Sequence, residues 1–120
     1  MTDSLEISVH SGESHKEGAV MYLRGRVNIE ASPDLRDRLL AMLRPQSSRA
    51  ITIDLAGVSY MDTSGLATLI EALKIARING IEMHLRGLQG RLLHLFQVTG
   101  IGSLFNTGGP TSDLATTAVS

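Results

Sequence analysis

The chain has 120 residues, which fits one domain of the usual size, about 100 to 150 residues, with a core that holds without metal or disulfide staples. It contains no cysteine, so disulfides, thiolate nucleophiles, Cys-ligated zinc and iron–sulfur clusters are excluded. With 11 Lys and Arg against 12 Asp and Glu the net charge is -1, which leaves no sustained positive field to hold a phosphate backbone, and nucleic acid is not an expected partner.

Aromatic residues make up only 3%, with no Trp, so the interior is expected to be aliphatic. Near the N-terminus, Asp3 and Glu6 stand where a signal peptide would need basic residues and then an apolar stretch, and no window approaches eighteen continuous apolar residues. A cytoplasmic protein without membrane insertion is expected.

In chain order, Leu5, Ile7 and Val9 alternate with polar neighbours, the period-two pattern of a half-buried strand. A polar segment from Ser11 to Gly18 separates it from a second β-favouring run, Ala19 to Gly25, and the two are expected to form a hairpin. Ser32-Pro33-Asp34 then opens a helix: Ser caps orphan amides, Pro suits the first helical position and Asp favours the positive end of the dipole. Leu35, Leu39, Met42 and Leu43 give that helix one buried face, and Pro45 follows its end near Arg44.

Ala50 to Leu55 is a continuous β-branched run, expected to be a central strand covered on both faces, with a loop beginning at Gly57. From Ser64 to Asn79, Leu66, Leu69, Ile70, Leu73 and Ala76 keep a 3.6 period, widened by Ile75 and Ile78, and Asn79-Gly80 stops the helix. Ile81 to Arg86 alternates as another strand. Gln89 to Val98 reads as a third helix, with Leu92, Leu95 and Phe96 facing inward, and Ile101 to Phe105 as a short edge strand. The order predicts an α/β domain over residues 1–106, a mixed, mostly parallel sheet of about four to five strands with helices packed on it. Residues 107–120 read as a flexible tail or short terminal helix.

The informative stretch is Asp54 to Leu66, where a central strand ends and a helix opens on Asp62, Thr63 and Ser64 with Gly65 just inside. In open α/β sheets ligands and partners bind at the carboxyl ends of strands. Plain capping uses these same residue types, and the run of hydroxyls exceeds what capping needs. Other chemistry finds little support. His10, His15, His84 and His94 lack metal-ligand spacing with a carboxylate, Ser64 has no Gly-x-Ser-x-Gly context, and Gly87-Leu88-Gln89-Gly90 lacks the Lys-Ser/Thr of a P-loop. No metal, cofactor or enzymatic activity is expected.

Leu23-Arg24-Gly25-Arg26-Val27-Asn28, Ile53-Asp54-Leu55-Ala56-Gly57-Val58 and Met61-Asp62-Thr63-Ser64-Gly65-Leu66 resemble the signature of the STAS domain, the family of bacterial anti-sigma factor antagonists. The resemblance implies the STAS fold and phosphorylation at Ser64, with Thr63 as second candidate, by an anti-sigma factor that is itself a GHKL-type serine kinase. The expected contact surface is Asn28, Ser59, Tyr60, Met61, Asp62, Thr63, Ser64, Thr68 and Glu71. Where the family often has Gly-Glu-Leu-Asp, this chain has Gly25-Arg26-Val27-Asn28, which removes a charge beside that serine. The segments around Ser64 and Gly87 also look similar to STAS subunits that bind the ATPase of lipid-trafficking ABC transporters, and a scaffold of stress-signalling complexes is a third role open to the fold.

Overall fold

The alternating N-terminal strands form the expected hairpin: β1 (Glu6–Ser11) runs antiparallel to β2 (Ala19–Val27), from Glu6 opposite Arg24 to Ser11 opposite Ala19. A computed structural model describes residues 4–12, 18–45 and 49–100. From β2 the chain passes through α1 (Ser32–Met42) to β3 (Ala50–Met61), then through α2 (Thr63–Ile78) to β4 (Glu82–Arg86), and ends its described part in α3 (Gly90–Thr99). The sheet order is β1-β2-β3-β4, with β2, β3 and β4 mutually parallel, because each helical crossover returns the chain to the same end of the sheet. The expected strand at Ile101 to Phe105 and the tail at 107–120 lie outside the described residues.

The core is aliphatic, as the composition required. Met21 and Leu23 on β2, Ile53 and Leu55 on β3 and Leu85 on β4 are at most 2% exposed and meet Leu35 and Leu39 of α1 and Leu69 of α2. Burying a side chain of this size stabilises the fold by about 1.5–3 kcal/mol. Phe96, at 0% exposed, is the fully buried residue of α3. The other sheet face is polar. Tyr22, Asp54 and Arg86 stand in register across three strands, and Arg86 donates to Asp54 Oδ2 at 2.8 Å and to the Tyr22 hydroxyl at 3.1 Å. The expectation of a strand buried on both faces therefore holds around Thr52, 4% exposed, with polar side chains on the second face.

Three local expectations are corrected. β3 does not end at Leu55 with a loop from Gly57: it continues to Met61, and its pairing with β2 slips between Tyr22 and Arg24 and again between Gly25 and Arg26. The second slip leaves Ser59 as an extra residue in β3, a bulge. Ser32 does not cap α1. It lies inside the helix, Ala31 takes the N-cap position, and Asn28 holds the turn by accepting the Ala31 amide on Oδ1 at 3.1 Å and the Ser32 amide on its carbonyl at 2.9 Å. Ile78 does not extend the buried stripe of α2; it is 81% exposed, because at about 3.6 residues per turn it lies well round the helix from Leu69, Leu73 and Ala76, which are buried.

Candidate functional site

The residues flanking the start of α2 converge from three elements because Asp62 binds them together. Its backbone amide donates to the Val27 carbonyl at 3.2 Å, tying the end of β3 to the end of β2. Its Oδ1 accepts the amides of Ser64 at 3.0 Å and Gly65 at 3.1 Å, the N-cap of α2. The second oxygen, Oδ2, accepts the Ile29 amide at 3.2 Å and anchors the turn that leads into α1. Asp62 thus joins β2 and β3 through its backbone amide, and α2 and the turn into α1 through its carboxylate. The hydrogen bond from the Ser64 hydroxyl, then the amides of Gly65, Ser64 and Ile29, hold the Asp62 carboxyl below the usual carboxylate range against the desolvation that would raise it.

Ser64, half-buried, donates its hydroxyl hydrogen to Asp62 Oδ1 at 2.6 Å. The Ser32 hydroxyl has one hydrogen and shares it between the Asn28 carbonyl at 2.8 Å and Ser64 Oγ at 3.1 Å. Ser64 Oγ therefore has a fixed position: its proton points to a carboxylate and a lone pair faces Ser32. Thr63 beside it is exposed and has no such frame. Gly65 makes the approach possible. A Cβ there would come within 2.8 Å of Met61 Cγ, Val27 Cγ1 and the Val27 carbonyl oxygen, so a side chain would push α2 away from the ends of both strands.

Other residues of the expected surface separate into two groups. Tyr60, 42% exposed, lies under the Arg26 guanidinium, whose carbon is 4.1 Å from the ring centroid. Ser59 is exposed on the bulge and Asn28 is half-buried in the turn. Met61 and Thr68 do not present surface: they are 8% and 7% exposed, Met61 packed into the core cluster and Thr68 turned inward to donate to the Ser64 carbonyl at 2.9 Å. They support the site from beneath. Glu71 accepts a two-pronged contact from Arg36, at 2.9 Å for each prong. That contact raises the Arg36 pKa and lowers that of Glu71, hydrogen bonding first and charge second in Arg36, hydrogen bonding against desolvation in Glu71.

Sequence reasoning missed Ile29, Ser32, Pro33 and Arg36. These α1-side residues, with Asp37 and Thr68, line a groove of about 280 Å³ beside Ser64. Ile29 is 72% exposed. Their pairing with α2 spans more than thirty positions in sequence, and no local pattern marks it. The glycines of Gly87-Leu88-Gln89-Gly90 serve a turn: at Gly87, with φ of 81°, a Cβ would sit 2.6 Å from the Ala56 amide nitrogen. Among the described residues no group of His, Asp and Glu could hold a metal ion, and no helix is long and apolar enough to cross a membrane.

Comparison with known proteins gives consistent results. Residues 10–106 match the family model described as Mlab, STAS domain. The anti-sigma-B factor antagonist of Listeria monocytogenes is 29% identical over 100 residues, covering 83% of this chain and 87% of that protein. The crystal structure of an anti-sigma factor antagonist from Mycobacterium paratuberculosis superposes with a TM-score of 0.69 at 22% identity, covering 98% and 97% of the two chains. The Bacillus cell fate determinant SpoIIAA in its phosphorylated form gives a TM-score of 0.64 at 14% identity, covering 92% of this chain and 98% of that one.

Proposed function

Because this chain belongs to the STAS-domain family, we propose that it is an anti-sigma factor antagonist whose binding to an anti-sigma factor is switched off by phosphorylation of Ser64. The partner is an anti-sigma factor that is itself a GHKL-type serine kinase, met in the cytoplasm. The observation that carries the reading is the frame around Ser64 Oγ, partly accessible at the end of an interior strand and held by Asp62 and Ser32. In the transfer, Ser64 Oγ forms a bond to the γ-phosphorus of a nucleoside triphosphate on the partner. The bond from that phosphorus to the β,γ-bridging oxygen breaks, the diphosphate leaves, and the hydroxyl proton passes to a base of the kinase.

The phosphate adds about −1.5 to −2 charges at neutral pH. Facing an acidic group of the partner at about 4 Å, each unit charge pair costs about 4 kcal/mol at an effective dielectric of 20. Since about 1.4 kcal/mol is tenfold in affinity, half that repulsion releases the complex without refolding this chain. Around Ser64, the exposed Tyr60, Thr63 and Ile29 and the half-exposed Glu71 supply the contact surface.

The test recovers the protein with its bound partners from its own cells and maps phosphate by mass spectrometry, together with affinities of Ser64→Ala and Ser64→Asp. Expected are a soluble kinase, phosphate on Ser64, and binding by Ser64→Ala that Ser64→Asp loses by at least tenfold. Equal binding by the two variants would refute the switch, and a transporter ATPase bound to unmodified protein would replace it with the accessory-subunit reading.

A further inference from the structure

The frame that positions Ser64 raises an electrostatic difficulty once the serine is modified. Its hydroxyl hydrogen is the donor that joins it to Asp62 at 2.6 Å. Replacing that hydrogen with a phosphoryl group removes the donor and sets a dianion against a carboxylate that keeps three hydrogen bonds, from the amides of Ile29, Ser64 and Gly65. Like charges at that separation repel strongly, so the phosphate must turn away from Asp62.

The direction left open is set by the surroundings. Ser32 Oγ lies 3.1 Å from Ser64 Oγ, and the groove that contains Ser32 continues along α1 to Arg36, one helical turn further on and about 6 Å away. A water occupies about 30 Å³ of liquid, so a groove of about 280 Å³ has room for a phosphate of a few such volumes. Arg36 is the cation on its wall, with Asp37 the acid. At present Arg36 is held by Glu71 at 2.9 Å, in a pair whose side chains are 48% and 42% exposed. The pair is forked but open to solvent, which screens it, and a phosphate dianion offers the guanidinium the same forked, charge-assisted contact with about twice the charge.

We propose that Arg36 is the internal receiver of a phosphate on Ser64: the guanidinium leaves Glu71, swings toward the N-terminal end of α1 and forks onto the phosphate in the groove. This deepens the phosphorylation reading above and rests on it. Two consequences follow for the surface. The phosphate gains a fixed orientation on the α1 side of Ser64. Glu71, lying about 10 Å further along α2 at 1.5 Å per residue, loses its partner and is presented as a bare carboxylate. Modification of one hydroxyl thereby changes the charge at two points about two turns apart on α2, and a partner lying along that helix meets repulsion at both.

The experiment uses the full chain with phosphoserine installed at position 64 during translation, so that no kinase is needed. The 31P resonance is titrated in this protein and in its Arg36→Gln and Glu71→Gln variants, with amide spectra confirming that each remains folded. The second phosphate pKa lies near 6 in the absence of a cation. Expected is a depressed value in the parent, a rise of at least several tenths of a unit in Arg36→Gln, and a further fall in Glu71→Gln, where the competitor for the guanidinium is gone. Superimposable titrations of all three folded proteins would overturn the proposal. If those titrations coincide while phosphoserine still abolishes partner binding, the receiver falls and the switch stands; if Arg36 moves the titration while phosphoserine leaves binding intact, the receiver stands and the switch falls.

Discussion

Gly65→Ala tests the contact that brings α2 onto the ends of β2 and β3. The added Cβ meets three atoms at 2.8 Å: Met61 Cγ, Val27 Cγ1 and the Val27 carbonyl oxygen. The two side-chain atoms can move by rotating about χ angles. The carbonyl oxygen cannot, because it belongs to the last residue of β2 and also accepts the Asp62 amide at 3.2 Å. Overpacking of this sort costs about 1–3 kcal/mol. The intrinsic gain of Ala over Gly in a helix interior is about 1 kcal/mol at most, and less in the first turn, where the backbone is only half committed. The balance is a destabilisation of about 1–2 kcal/mol. Urea unfolding followed by circular dichroism should show a lower midpoint at an unchanged slope, since the surface exposed on unfolding is the same. The amide resonances that shift should cluster at Val27, Met61, Asp62 and Ser64. A Gly65→Ala variant as stable as the parent or more so would refute the reasoning, because helix propensity would then outweigh the cost of the contact.

Three further outcomes follow from the same geometry. The Asp62 carboxyl is depressed in the folded state, so its contribution to stability is fully present above its unfolded pKa, about 3.9, and is lost as pH falls through the lower folded value; unfolding midpoints of Asp62→Asn should therefore vary less with pH below about 5 than those of the parent, and parallel profiles would contradict the assignment. Phe96→Ala empties the site of the fully buried residue of α3 and should cost about 3–5 kcal/mol by chemical denaturation, with amide exchange accelerated first in α3; a loss below 1 kcal/mol would show that α3 adds little to the core. Ser32→Ala removes the hydroxyl beside Ser64 Oγ and is expected to leave the midpoint within about 1 kcal/mol of the parent, the usual net worth of one hydrogen bond, while shifting the Ser64 amide resonance; an unmoved resonance would mean that the two hydroxyls do not interact.

Much of the architecture was legible because its causes are local. The alternation of Leu5, Ile7 and Val9, the stripe of Leu35 and Leu39, and the 3.6-residue repeat from Leu66 to Ala76 each report which side of an element must leave water, and neighbouring residues suffice to show it. The hydroxyl run after Asp62 marked the start of a helix, and Asn79-Gly80 marked its end. Where local signals could serve two geometries, the reading erred. Ser32 is a good cap by type, yet Asn28 had already formed the turn, and its hydroxyl was left to reach Ser64. Gly57 looked like a breaker, yet the strand continued past it because β2 offers backbone partners as far as Val27.

The sequence by itself determined an aliphatic α/β domain, the sites of its helices and the hydroxyl-bearing segment at the start of α2, because hydrophobic period and capping chemistry act between residues a few positions apart. Only the tertiary structure decided what surrounds that hydroxyl. The Asp62 link to Ile29 spans 33 positions, the Ser32 contact with Ser64 spans 32 and the Arg36 fork on Glu71 spans 35. Contacts so distant along the chain exist only after two crossovers have laid α1 beside α2. The groove and its cation are therefore products of packing, which fixes positions that no stretch of adjacent residues encodes.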